Sequence, residues 1–292
     1  MHTAKAVLTK TTLSPALTLL LMCLMLISTT QYASAFSLQR LDVQRGSQQL
    51  QDLAILDARP LAQYQQGHIA GAHSLSWEDY TRPDSDGVNY RIAPQDELTK
   101  ALGHMGISET SAVLIYGDAD TSWGGEGWAA WLLAWLGHQG PVYILDGGVQ
   151  AWQSAQLPLV TTVTPATEVT YQASVQPQLQ ISAAEIDARK DHITLVDTRN
   201  YWMEWLPGHL PNAIHLDWKE LYQGEDNRAI DAQAFKSLLK KKGIDLSKPV
   251  VYYCTGGIRS GYAWMVHELA GLPSAINFEG GTEEWNTFKK QP

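Results

Sequence analysis

ITLVDTRNYWMEWLPGHLPNAIHL, residues 193–216, decides the fold, because the same chain has already written it once, as LAILDARPLAQYQQGHIAGAHSL over residues 53–75. Each version is a short apolar run ending in Asp-x-Arg, then a stretch with helical character, then Gly-His-(Ile/Leu)-x-(Gly/Asn)-Ala. Working outward, SAVLIYGDAD from Ser111 matches PVVYYCTGG from Pro249, and VYILDGGVQAW, ending at Trp152, matches AINFEGGTEEW, ending at Trp285. The copies are offset by 140 residues at the Asp and by 133 at the Trp, so the order of motifs survives with small changes in length. A preserved order at a preserved period marks a duplicated unit.

Within each copy, apolar strand-length runs alternate with helix-length segments. Ile193–Val196, Val250–Tyr253 and Ala275–Phe278 are rich in β-branched and aromatic residues and bounded by turn residues, as buried parallel strands are. Ser182-Ala-Ala-Glu185 has the form of a capping box, and Ala263–Leu269 carries apolar residues at helical spacing. The fold class is therefore α/β, with a mainly parallel sheet flanked by helices in each copy. Val160–Gln178, rich in Thr, Pro and Gln, reads as a linker, so the expected division is 36–159, 160–178 and 179–292.

The 292 residues are 45% hydrophobic and 17% charged, ample for packed cores. The formal net charge is −9, and without Lys5 and Lys10 it falls to −11. Such an acidic body has no basic stripe for a polyanion, and nucleic acid is not expected as a partner. Residues 1–35 read as a signal peptide. Lys5 and Lys10 precede an apolar run, Ala16–Ile27, that is short for a bilayer span, and Ala33-Ser34-Ala35 has the small-x-small form of a cleavage site. The alternative is a retained N-terminal anchor. Cleavage predicts an exported protein with no stable membrane anchor, periplasmic in a Gram-negative bacterium. Of the two cysteines, Cys23 leaves with that segment, and Cys254 becomes a lone thiol in an oxidising compartment, where it must be buried or used.

VVYYCTGGIRSGYAW, residues 250–264, places Cys254 at the carboxyl end of a buried strand, with Thr255, Gly256, Gly257, Ile258, Arg259 and Ser260 leading into a helix. Two adjacent glycines permit a tight loop whose backbone N–H groups form an anion-binding nest, and Arg259 adds a cation beside a thiolate. The competing reading is a buried, inert cysteine in a tight turn.

Asp-x-Arg, Gly-His-(Ile/Leu)-x-x-Ala, a Cys-x-x-Gly-x-Arg-Ser loop and a closing Gly-Gly-x-x-x-Trp together resemble the rhodanese sulfurtransferases. The resemblance covers nearly the whole chain after residue 35, twice, as in tandem members with an inactive N-terminal and a catalytic C-terminal copy. It implies two rhodanese-like domains and a Cys254 persulfide. Sulfane sulfur would pass from a small, thiosulfate-like donor to cyanide or a thiol, a protein acceptor among them, with no metal or organic cofactor. Substrate binding falls to Thr255–Ser260, with Asp197 and Arg199 as possible support that more often ties loops together. Cys254 through Arg259 is Cys-x4-Arg, one residue shorter than the Cys-x5-Arg loop of the related dual-specificity phosphatases, which favours sulfur over phosphate.

The first copy has Gly117 where the nucleophile would stand, with Asp118 and Asp120 expected to repel an anion, so its expected role is to cover the other copy. His68 and His209 read as structural, Trp152 and Trp285 as core or hinge packing, and Glu279, in place of Asp146, acquires no role. Thr255 and Gly256 match neither the thiosulfate nor the mercaptopyruvate members, and Met203 stands where tandem members place a substrate-binding arginine. The alternative function is a non-catalytic sulfur carrier or interaction protein of the same fold.

Overall fold

The structure, a computed structural model, describes residues 36–290 apart from Ser274. The signal-peptide reading of residues 1–35 falls outside the described residues. No helix among them is long and apolar enough to cross a membrane.

The first copy runs β1 (Leu38–Leu41), α1 (Val43–Gln48), β2 (Ala54–Asp57), α2 (Leu61–Gln66), β3 (Ala72–Ser74) and α3 (Trp77–Tyr80) into a hairpin of β4 (Thr81–Arg82) and β5 (Arg91–Ile92). It closes with α4 (Gln95–His104), β6 (Val113–Tyr116), α5 (Gly125–Trp135), β7 (Val142–Leu145) and α6 (Gly148–Ser154). The second copy runs α7 (Ala183–Arg189), β8 (Thr194–Asp197), a π-helical turn (Tyr201–Trp205) and β9 (Ile214–His215), followed by a hairpin of β10 (Tyr222–Gln223) and β11 (Arg228–Ala229). It closes with α8 (Ala232–Lys242), β12 (Val250–Tyr253), α9 (Ile258–Leu269), β13 (Ile276–Phe278) and α10 (Gly281–Lys290).

The two main sheets are parallel throughout, in the orders β1–β7–β6–β2–β3 and β13–β12–β8–β9. They are the same sheet built twice, except at one edge. Where β1 flanks β7, the second copy offers β13 only a single bridge, Gln180 to Asn277, just after the 3₁₀ turn Pro177–Leu179. All four residues of β6, β8 and β12 are buried, which is why they read as continuous apolar runs. The capping box at Ser182 is present, with Ser182 accepting from the Glu185 N–H and Glu185 accepting from the Ser182 N–H.

Helix α9 begins at Ile258, five residues before the apolar periodicity becomes visible. Gly257 caps it at φ +85°, a conformation favourable only for glycine. The segment Ile258–His267 is buried all round, because α9 lies between its own sheet and α5 of the first copy. One apolar cluster, including Trp128, Trp131, Tyr262 and Trp264, therefore runs through both copies, with a separate cluster on the outer face of each sheet. Trp152 and Trp285 sit in those outer clusters, as core residues. The helices meet at glycines. A Cβ on Gly127 would lie 2.7 Å from the Tyr262 amide nitrogen, and one on Gly261 would lie 2.9 Å from the Trp128 Cα.

Each hairpin crosses to the other copy. Arg91 on β5 pairs with Glu279 at 3.0 Å and Glu284 at 2.5 Å, and the Ile92 N–H donates to Glu279 at 2.7 Å. In the opposite direction Arg228 on β11 approaches Asp146 at 3.6 Å, and Arg40 holds the same carboxylate at 3.1 Å. Glu279 and Asp146, given no role by sequence, are thus matched latches between the copies. The stretch 160–178 follows the surface of the first copy. Val160 bridges His68, the Val169 N–H donates to the Gly103 carbonyl, and Tyr171 is buried against His138.

Candidate active site

Strand β12 delivers Cys254 to the foot of α9, where its side chain is buried and free of any disulfide. The closing motif of the same copy holds the loop from behind. The Thr282 and Glu283 N–H groups donate to the carbonyls of Cys254 and Thr255 at 3.0 and 3.2 Å. A Cβ on Gly281 would lie 2.5 Å from the Cys254 carbonyl oxygen, so this approach requires glycine. Ser260 Oγ stands 3.7 Å from Cys254 Sγ and donates to Asn277 Oδ1 at 2.7 Å, while Asn277 Nδ2 donates to the Gly257 carbonyl at 3.1 Å. The single Ser260 proton can therefore serve the amide or turn to a charged sulfur.

Arg259 is largely buried beside Cys254, but its guanidinium faces a residue absent from the sequence reading. Nη1 donates to Glu204 Oε2 at 2.6 Å, and Nη2 to Glu204 Oε1 and Thr255 Oγ1, each at 2.8 Å. Thr255 in turn donates to Glu204 Oε1 at 3.0 Å, and the Asn200 N–H donates to Oε2 at 3.1 Å. Burial by itself would raise the Glu204 carboxyl, but the hydrogen bonds and charge of Arg259 outweigh it and bring Glu204 down to about 2. Burial likewise disfavours the charged form of Arg259, and the bonds to Glu204 together with the nearby Cys254 sulfur raise its pKa overall. Among the described residues lining the cavity Arg259 is the one cation, yet the fork of its two terminal nitrogens is already occupied.

Above Cys254 lies a cavity of about 250 Å³ lined by Glu204, Cys254, Thr255, Gly256, Ile258 and Arg259, with Trp77, Tyr90 and Trp123 supplied by the first copy. Tyr90, directly before β5 and with φ 62°, lies over Gly256, where a Cβ would come within 2.7 Å of its ring. Trp77 donates from Nε1 to the Ser122 carbonyl at 3.0 Å and meets Tyr90 edge-on. The Arg259 guanidinium lies 5.6 Å from the centre of the Trp123 ring. Gly257 and Ser260, placed in the binding loop by sequence, lie beneath it and do not line the cavity. Asp197 and Arg199 do not reach it either. Arg199 forks onto Asp197 at 2.9 and 2.6 Å and reaches the Gly208 carbonyl at 2.8 Å, a tie that Asp57, Arg59 and Gly67 repeat in the first copy. The support these two offer is to the backbone. His209 stacks on Trp205, with ring centroids 3.7 Å apart, as His68 does on Tyr64 at 4.0 Å.

In the first copy, the space a side chain on Gly117 would need holds Glu126, whose carboxyl carbon would lie 2.8 Å from a Cβ there. Asp120 does not point into an empty cradle, contrary to its expected role in repelling anions. It bonds Lys219 at 3.0 Å and the Tyr222 hydroxyl at 2.8 Å, across to the second copy. The loop from Gly117 to the helix cap Gly124 has four more residues than that from Cys254 to Gly257, and this extra length carries Trp123 to the other copy's cavity. A related length change exposes Glu204. From Asp57 to His68 is eleven steps and from Asp197 to His209 twelve, and the extra residue is absorbed as the π-helical turn that carries Glu204. Both differences are countable in the aligned repeats; what the added residues touch is not.

Residues 39–155 and 182–287 each match the Rhodanese-like domain family. The chain is 30% identical over 266 residues to a probable 3-mercaptopyruvate sulfurtransferase of Pseudomonas aeruginosa, covering 82% of this chain and 92% of that protein. It is 28% identical to the sulfur carrier protein TtuD of Thermus thermophilus, covering 78% and 86%. Among solved structures, the 3-mercaptopyruvate sulfurtransferase SseA of Escherichia coli superposes with a TM-score of 0.74 at 19% identity, over 83% of this chain and 98% of that one. The anaerobic ergothioneine biosynthesis enzyme of Chlorobium limicola does so with 0.73 at 21%, over 90% and 70%. With its motif matched twice and the same sheet built twice, the chain belongs to the rhodanese family, as a tandem-domain member among the sulfurtransferases.

Proposed function

We propose that Cys254 carries sulfane sulfur as a persulfide in an exported sulfurtransferase. The observation that carries this reading is the position of Cys254, the one cysteine among the described residues, at the foot of α9 and open to a cavity that holds no other nucleophilic sulfur. The Cys254 thiolate attacks the outer sulfur of a donor. A new S–S bond forms, the donor's bond to that sulfur breaks, and its electron pair leaves with the remainder of the donor. A thiophilic acceptor, cyanide or a thiolate, then takes the outer sulfur and releases Cys254 as the thiolate. No external oxidant or reductant is needed. Arg259 and the N-terminal end of α9 stabilise the anionic sulfur, and Ser260 can turn its proton towards it.

Incubation with a sulfane donor should add the mass of one sulfur, cyanide should remove it as thiocyanate, and Cys254→Ser should abolish both. Repeated turnover of thiocyanate marks an enzyme; a single equivalent marks the carrier reading, which the likeness to a sulfur carrier protein favours. Turnover by Cys254→Ser would overturn the mechanism. Export is tested separately: the mature protein should begin at Phe36, and a membrane-bound form beginning at Met1 would refute it.

A further inference from the structure

We propose that this cavity takes sulfur from organic donors carrying at most one negative charge on an apolar or aromatic body, and that Glu204 is the residue that turns it against dianions such as thiosulfate. The proposal rests on the persulfide reading of Cys254 and names the substrate class of that site.

Among the described residues Arg259 is the one cation lining the cavity, and both terminal nitrogens of its guanidinium are engaged by the two oxygens of Glu204. A dianion arriving there finds the fork formed by Nη1 and Nη2 already taken. It meets instead a carboxylate that remains ionised at every ordinary pH and whose side chain is 26% exposed at the cavity wall. Glu204 cannot readily turn aside, because Thr255 and the Asn200 N–H hold the same two oxygens. The Arg259–Glu204 pair is neutral as a unit, so the N-terminal end of α9, which already stabilises the thiolate, is left to offset the repulsion between that thiolate and a dianionic donor. Like charges brought together in a half-buried site are screened far less than on an open surface.

The remaining walls suit an apolar body. Trp77, Tyr90 and Trp123 face the sulfur from the first copy, and Trp123 is 50% exposed, with a face available for a planar group. The first copy shows that the carboxylate is a local choice. There the turn after Asp57 is one residue shorter, and it is the neutral Gln63 that reaches the facing loop, through Thr121 at 3.4 Å.

An aryl thiosulfonate illustrates the chemistry. The Cys254 thiolate attacks its terminal sulfur, the bond between that sulfur and the sulfonyl sulfur breaks, and an aryl sulfinate leaves with the electron pair. Charge and oxidation state balance as they do with thiosulfate and sulfite. The two donors differ in carrying one or two charges and in having or lacking a ring.

The test is single-turnover loading of the full chain with benzenethiosulfonate and with thiosulfate, followed by intact mass and normalised to each donor's rate with a small free thiolate. Wild type should favour benzenethiosulfonate by roughly tenfold or more. Glu204→Gln should raise thiosulfate loading by roughly tenfold and change the aryl donor less, because the freed fork of Arg259 can then pair with a dianion. Trp123→Ala should lower aryl loading more than thiosulfate loading, and this variant with the wild-type ratio decides the matter if Glu204→Gln folds poorly. Preferential loading by thiosulfate in wild type, or an equal fall for both donors in Glu204→Gln, overturns this proposal alone. A protein that no donor loads removes the persulfide reading, and this proposal with it.

Discussion

Gly127→Ala should weaken the whole molecule, although alanine is the better helix former. Gly127 lies in the first turn of α5, where that helix crosses α9, and a Cβ there would stand 2.7 Å from the Tyr262 amide nitrogen, with the Tyr262 Cα nearer still. Carbon atoms rest at about 3.5–4.0 Å, so the helices would have to part by about 1 Å. The obstruction is backbone on the far side, and no side chain can rotate away to relieve it. Parting the helices loosens the cluster shared by the copies, including Trp128, Tyr262 and Trp264. Overpacking of a core costs about 1–3 kcal/mol, and more where backbone must move, against about 1 kcal/mol gained in helix propensity. Because backbone must move, the cost falls at the upper end of that range, and the net loss expected here is roughly 2 kcal/mol, a fall in Tm of roughly 4–8 °C for a chain of this size. Gly124 and Trp123 lie just before this turn, so displacing α5 also moves one wall of the cavity, and the rate of Cys254 loading should fall for the folded protein. Urea and thermal unfolding followed by tryptophan fluorescence, with single-turnover loading at a temperature where both proteins are folded, would measure both effects. A variant with unchanged or higher Tm would refute the reasoning, because propensity would then outweigh the close helix contact.

Three further outcomes follow from named contacts. Burial raises the Glu126 carboxyl from its ordinary 4.5 to about 7, so the folded state holds that proton more tightly than the unfolded chain. Its contribution is complete below about pH 4.5 and lost as pH rises through about 7, so the advantage of Glu126→Gln over wild type should grow to order 1–3 kcal/mol across that window and then level off; a difference flat with pH would count against it. Arg259→Ala leaves Glu204 half-buried without its partner and should cost about 3 kcal/mol in urea unfolding, while Arg259→Lys recovers only part, because an ammonium cannot fork onto both oxygens of Glu204; equal stability of all three proteins would refute the pairing. Gly117→Cys should not create a second sulfur carrier, because Glu126 fills that space; intact mass showing two sulfurs added per chain would show otherwise.

The duplication, the parallel α/β class and the position of Cys254 at the end of a strand are carried by periodic apolar runs and by motifs whose residues adjoin in sequence. Local backbone chemistry is enough to read them: the capping box at Ser182 and the strand Val250–Tyr253 stand as the sequence predicts. The start of α9 is less legible, because a helix buried on every side shows no amphipathic period, and only the left-handed Gly257 marks where it begins. The surroundings of the sulfur were decided by the tertiary structure alone. Arg259 meets Glu204 across 55 positions of sequence, and three aromatic walls come from the copy that lacks a nucleophile. Sequence displays which groups each copy owns, but the charge a substrate meets depends on which of them neutralise one another, and that is settled only when α5 and α9 pack and bring the two copies face to face.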